Sequence, residues 1–294
     1  MVNLRTMANL EEFVDFLKAN PSRVYSAYDL SFLTFIFFRT QCNRIAKNRE
    51  ISKLINSLIK AELIAEKKYP GGNAFYLLPE EFIDPKQAVC AIDMFCYISH
   101  WSAMEYYGLA ETTKPNALYI TNPEPKAWSK IATRKIENDF AGFVEAFYEN
   151  GLLRPRKCSP SKIGELDIVN TYTPQYENAF EYDGRTRVAR IGRTFLDMIR
   201  CPSRCGGMFN VIDIYKQNAD KFVEEIVTEV NEKANKIESV RAGYLLDEVC
   251  RIDHPLISEW YINVQRGGSR KLDPNATYCS KYSAKWCLSI NCRG

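Results

Sequence analysis

Between residues 51 and 79 the hydrophobic period of the chain switches from that of a helix to that of a hairpin. ISKLINSLIKAEL sets Ile51, Leu54, Ile55, Leu58 and Ile59 at the 3, 4, 7, 8 spacing of a single helical face. LIAEKKY and NAFYLLP then read as two short strands around PGGN, a turn-forming run. A helix that passes almost directly into a two-stranded ribbon, with lysines on the approach to the tip, restricts the architecture more than any other stretch of the sequence.

Two further helices are predicted upstream. NLEEFVDFLKANP places Leu10, Phe13, Val14 and Leu17 on one face, with Asn9 as candidate cap and Pro21 beyond the end. In VYSAYDL, Ser26 stands three residues before Asp29, a capping-box start for the second helix. Three helices followed by a hairpin are the elements of a winged helix-turn-helix, in which the third helix enters the DNA major groove and the hairpin lies along the backbone. On that reading Arg49, Ser52, Lys53 and Asn56 face the groove, and Lys67, Lys68 and Asn73 near the hairpin tip reach phosphate. The basic run from Arg39 to Lys53 adds Arg39, Arg44 and Lys47, with Glu50 as its acid. The same residues also suit a solvated helix and surface hairpin that touch no nucleic acid. SFLTFIFFRTQCNRIAK, residues 31–47, is longer than a standard turn between helices two and three, which predicts an extra helix or a displaced groove contact.

Residues 1–80 are thus read as a winged-helix domain, and PEEFIDPKQ at 79–87, with its two prolines and acids, marks a linker taken as 81–90. Residues 91–294 form a larger mixed domain, so the fold class is α+β or α/β. Within it VCAIDMFCYIS is predicted as a strand, HWSAMEYY as a short helix between Ser99 and Gly108, and ALYIT as a strand. FAGFVEAFYENGLL, IGRTFLDMIRCP, GMFNVIDIYKQ, NADKFVEEIVTEVNEKANK and SVRAGYLLDEVCRI have helical spacing, and KWCLSIN reads as a closing strand.

From YISHWSAMEYYGL onward the chain resembles the AbiEi family, the antitoxins of type IV toxin–antitoxin systems in bacteria. PNALYIT, GRTFLDMIRCPSRCGG, VRAGYLLDEV, KLDP and KWCLSIN follow in the family's order and together span about 97 to 291. The N-terminal helix-hairpin module is also what that family carries, although the stretch at 31–47 departs from its compact form. The resemblance implies a cytoplasmic repressor that binds its own operator, double-stranded DNA with inverted repeats, through the winged helix. It also implies that the second domain counteracts a nucleotidyltransferase toxin; whether the two touch is left open. Arg193, Arg241 and Lys271, taken as exposed cations in or beside these segments, are expected to contribute, with a structural ion-pair role as the alternative for Arg193 and Arg241, and residues from about 88 onward are expected to suffice for antitoxin action. A winged-helix transcription factor without a toxin partner is the alternative.

Enzymatic readings find little support. The sequence has no phosphate loop, H-E-x-x-H or G-x-S-x-G, and its two histidines are His100 and His254. GSRKLD at 268–273 mimics the opening of a nucleotidyltransferase site, but Asp273 lacks the acidic neighbour that two-metal chemistry needs. ELD at 165–167 and EYDG at 181–184 hold spaced acids without the E-x-K of a Mg²⁺ nuclease, which is kept as the less favoured alternative. No catalytic residue, cofactor or metal ligand is therefore assigned. The ten cysteines form no C-x-x-C pair, and most are read as small core residues of a reduced, cytosolic chain. No apolar run approaches the ~20 residues of a membrane span. Net charge is only +3, so local clusters carry the electrostatic argument.

Overall fold

The computed structural model describes residues 4–292 except 21, 70–71, 80–83, 111–115 and 266–269, with side chains from Leu10 onward. In chain order the elements are α1 (Leu4–Lys18), β1 (Val24–Ser26), α2 (Ala27–Cys42), α3 (Asn48–Lys60), β2 (Ile64–Tyr69), β3 (Gly72–Leu77), α4 (Pro85–Ile92), β4 (Tyr97–Ile98) and α5 (His100–Tyr106). Then come β5 (Ala117–Pro123), α6 (Pro125–Asp139), α7 (Val144–Glu149), β6 (Lys162–Ile163), β7 (Leu166–Thr173), β8 (Phe180–Asp183) and β9 (Thr186–Ala189). The remainder is α8 (Ile191–Arg200), α9 (Gly207–Asn218), α10 (Val223–Lys233), α11 (Lys236–Gly243), α12 (Pro255–Glu259), β10 (Tyr282–Ser283) and β11 (Leu288–Ser289). The fold is mixed α+β: helices predominate and the short strands pair mostly antiparallel.

The chain divides into two compact units, and not at residues 81–90. The first comprises Met1–Cys96, Asn122–Pro174 and Tyr182–Arg187; the second comprises Tyr97–Thr121, Gln175–Glu181 and Val188–Gly294. Residues 84–90 of the expected linker are not extended. Asp84 accepts from the Lys86 N–H at 2.9 Å, Pro85 stands in the first turn, and α4 buries Ala88, Val89 and Cys90. That cap and proline also overturn the strand expected across VCAIDMFCYIS, of which only Tyr97 and Ile98 are strand.

In the first unit α1, β1, α2, α3, β2 and β3 give a three-stranded antiparallel sheet in the order β1-β3-β2, the arrangement of a winged helix. α1 begins at Leu4, so Asn9 is interior to it and no cap. The Ser26 capping box forms: its Oγ accepts from the Asp29 N–H at 3.0 Å while the Asp29 carboxylate accepts from the Ser26 N–H at 3.3 Å. The long stretch after it holds no extra helix: residues 31–42 continue α2, and only residues 43–47 connect it to α3. α2 runs unbroken for 16 residues and ends where Asn43 adopts φ 50°. No glycine or proline interrupts it, and it is apolar on more than one side, as a helix packed on two neighbours must be. One side sets Phe37 5.0 Å from Phe13 and 5.7 Å from Phe16 of α1. Another sets Phe32 and Phe35 5.2 and 5.0 Å from Phe140, with Tyr28 donating to Asp139 at 2.7 Å. The winged helix therefore shares its core with residues 139–147 and is not complete at residue 80.

The same unit holds a buried polar knot. The Arg187 guanidinium donates to the carbonyls of Cys96 and Cys90, both at 2.6 Å, and of Asp93 at 2.9 Å, taking up orphan carbonyls at the end of α4. The Asn122 amide donates to the Asp93 carboxylate at 2.7 Å. Burial outweighs these partners and pushes Asp93 up to about 6.

The second unit is built on α8 to α11 and the C-terminal hairpin β10–β11. Two glycines mark close approaches. A Cβ on Gly192 would stand 2.2 Å from the Glu225 carbonyl oxygen, where α8 crosses α10, and a Cβ on Gly243 would stand 2.1 Å from the Trp286 ring. Trp286 is fully buried, stacks on Tyr261 at 4.4 Å and donates its Nε1–H to Asp247 at 2.8 Å. Thus VRAGYLLDEV and KWCLSIN, distant in sequence, interlock through one glycine and one indole.

Candidate nucleic-acid interface

Successive residues of an α-helix turn by ~100°. On α3 that puts Ile51, Ile55 and Leu58 against the core, where all three are buried. Opposite them Arg49, Lys53 and Lys60 fall within a ~40° sector, all exposed. Lys60 belongs to this stripe and was missed among the site residues, although its position on the outward face was legible. Among the described residues neither Arg49 nor Lys53 has a hydrogen-bond or ion-pair partner.

The other expected DNA contacts divide. Lys68 is exposed on the wing. Lys67 is exposed and holds its ammonium 4.2 Å from the Tyr76 ring centroid, a cation–π contact. Asn73 is engaged across the hairpin by Glu66 rather than free for phosphate. The tip residues 70–71 lie outside the described residues. Arg44 is tied: its guanidinium pairs with Glu50 at 2.8 Å and stands 4.4 Å from the Phe38 ring. Glu50 also accepts from the Lys47 N–H at 3.0 Å, and that bond, with Arg44, holds its carboxyl below the usual range. Lys47 thus starts α3 with its side chain exposed, and Arg39 lies 3.8 Å over Phe143.

Ser52 and Asn56 occupy the flank of α3 rather than the centre of the stripe. There they line a cavity of ≈ 370 Å³ whose far wall is the segment 153–158, with Arg154 and Arg156. Ile55, Ile59, Phe75 and Met94 supply apolar surface. Nothing in the local sequence ties residues 153–158 to α3. The link runs through Phe140, which packs on Phe147 and meets Phe32 and Phe35 of α2 more than 100 positions away, and through the Asn48 N–H, which donates to the Asn150 carbonyl at 3.3 Å.

The three cations expected to serve the antitoxin role are not exposed. Arg193 is 3% accessible and pairs with Asp197 at 3.1 Å and Glu229 at 3.4 Å, while Gln175 accepts from it at 3.2 Å. Arg241 is half-buried and donates to the Lys271 carbonyl at 2.9 Å; Lys271 donates to the Ala276 carbonyl at 2.8 Å. All three knit the second unit together.

The histidine and the acidic runs weighed as catalytic candidates are placed as follows. His100 is buried, with φ 50°, and its Nδ1 lies 2.9 Å from the Ser99 hydroxyl; burial lowers its pKa and keeps it neutral. Asp167 of the ELD run pairs with Lys162 at 3.3 Å across β6 and β7. Of GSRKLD, residues 268–269 lie outside the described residues. Among the described residues no three His, Cys, Asp or Glu side chains gather as a metal site requires, and no helix is long and apolar enough to cross a membrane.

No family model matches the chain, and no curated protein matches it. Among solved structures it is similar to the RV2827C protein from Mycobacterium tuberculosis, at 14% identity and a TM-score of 0.49, over 94% of this chain and 88% of that one. The likeness says nothing of function.

Proposed function

We propose that the protein is a cytoplasmic DNA-binding antitoxin and autorepressor of a type IV toxin–antitoxin system. The observation that carries the DNA-binding half is the exposed stripe Arg49, Lys53 and Lys60 on the third helix of a winged helix, together with Lys67 and Lys68 on its wing. A protein that neutralises phosphates with such cations binds duplex DNA with a steep salt dependence. The antitoxin half rests on the AbiEi-like segments, which pack together in the second unit. Arg193, Arg241 and Lys271 act in this reading through the stability of that unit rather than as contacts to a toxin.

The DNA-binding half is tested with R49A/K53A/K60A in a salt series on upstream operator DNA. Affinity falls, and the slope of log K against log salt flattens by about one for each phosphate that is no longer neutralised. Unchanged affinity and slope in a folded triple variant would remove the assignment. For the antitoxin half, the protein is co-expressed with a nucleotidyltransferase encoded beside it, and growth is scored. Failure to restore growth would leave a winged-helix regulator with no toxin partner.

A further inference from the structure

The cavity beside α3 has the make-up of a small-molecule site, and we propose that it binds a small organic anion with an aromatic or short aliphatic body. Its ≈ 370 Å³ lies within the range of about 300–1,000 Å³ typical of ligand pockets. The apolar surface of Ile55, Ile59, Phe75 and Met94 suits a hydrocarbon group. The polar side is specific in charge. Arg154 and Arg156 both line the wall, and among the described residues neither has a hydrogen-bond or carboxylate partner; Arg154 only lies over the Tyr148 ring at 5.1 Å. The Ser52 hydroxyl and the Asn56 amide open onto the same space, likewise without partners among the described residues. Glu66, the one carboxylate on the described wall, is already engaged by the Asn73 amide.

Two unpaired guanidinium groups with a hydroxyl and an amide around an apolar surface favour a carboxylate or a phosphate monoester over a neutral or cationic molecule. The site lies wholly within the first unit. The inference does not depend on α3 reading DNA. If it does, a bound anion takes up Ser52 and Asn56 and changes which polar groups the helix presents.

The test is calorimetric titration of the full chain with phenylacetate, phenyl phosphate and, as the uncharged comparator, phenylacetamide. At least one anion binds saturably, one per chain, and the amide binds about tenfold more weakly, since a charge-assisted hydrogen bond at a partly exposed site is worth roughly that factor. Whichever anion binds more tightly identifies the carboxylate or the phosphate as the recognised group. R154A/R156A removes exposed side chains, so its circular dichroism and melting match wild type, and its anion affinity drops about tenfold. S52Y fills the space without removing charge and abolishes binding of either anion. The proposal falls if neither anion binds saturably, if the amide binds as well as the anions, or if either folded variant binds them as wild type does. It falls equally if R154A/R156A loses affinity for operator DNA while its anion binding is unchanged, which would assign those guanidinium groups to DNA phosphate.

Discussion

Replacing Arg193 with alanine separates a residue that holds the second unit together from one that meets a partner. Its guanidinium is 3% accessible and faces Asp197, itself 5% accessible, at 3.1 Å and Glu229 at 3.4 Å. Deleting the cation leaves a buried carboxylate without its main counter-charge, which costs ~3–5 kcal/mol. For a unit of this size that corresponds to a fall in melting temperature of roughly 10–20 °C. Burial raises the Glu229 pKa even with Arg193 present, so R193A/E229Q, which removes that charge, recovers part of the loss. Thermal melts followed by circular dichroism and tryptophan fluorescence measure it. R193A then loses antitoxin activity at growth temperature and keeps it at low temperature. A variant that melts with wild type yet fails to protect at every temperature would refute the reasoning and restore Arg193 as a contact residue.

Three further outcomes follow from the packing. Gly243→Ala places a methyl group 2.1 Å from the Trp286 ring, so the indole is displaced and stability falls by ~1–3 kcal/mol in urea melts, with a changed Trp286 emission. Asp93 titrates at about 6 in the fold against an ordinary 3.8; because the folded state binds the proton more tightly, stability declines as pH rises from about 4 to about 6. Asp93→Asn removes that decline, roughly 2–3 kcal/mol between those pH values, without disturbing the acceptor for Asn122. Phe140→Ala empties the contact with Phe32 and Phe35 and costs ~3–5 kcal/mol in the first unit, and a fragment ending at residue 80 melts lower still or aggregates.

The winged-helix elements were legible because each carries a local signal. Ser26 and Asp29 cap within three residues, and Ile51, Ile55 and Leu58 declare the buried face of α3. Where two local signals compete, the reading failed. The apolar run after Lys86 suggested a strand, but Asp84 and Pro85 had already committed the chain to a helix. The charge of Arg193 suited a surface contact and a structural ion pair alike, and nothing in its neighbourhood announces Glu229, 36 residues away. The cavity was illegible for the same reason: Ser52 and Asn56 read correctly as outward, but what faces them is residues 153–158, brought there by aromatic contacts over long separations. Charge and period report what a residue prefers, while partners that distant are fixed only by the finished core.

The sharing of α2 between α1 and Phe140 has a consequence for how the protein is made. The ribosome releases Phe32 and Phe35 long before it has polymerised the rings that cover them. At about 5–20 residues per second, the roughly hundred intervening residues take on the order of 5–20 s. During that interval the nascent chain carries an uncovered phenylalanine face and has also emitted 97–121, the first piece of the other unit. The first unit therefore cannot close until a piece of the second has already been made, and through that window the uncovered rings are a target for a chaperone that shields aromatic surface.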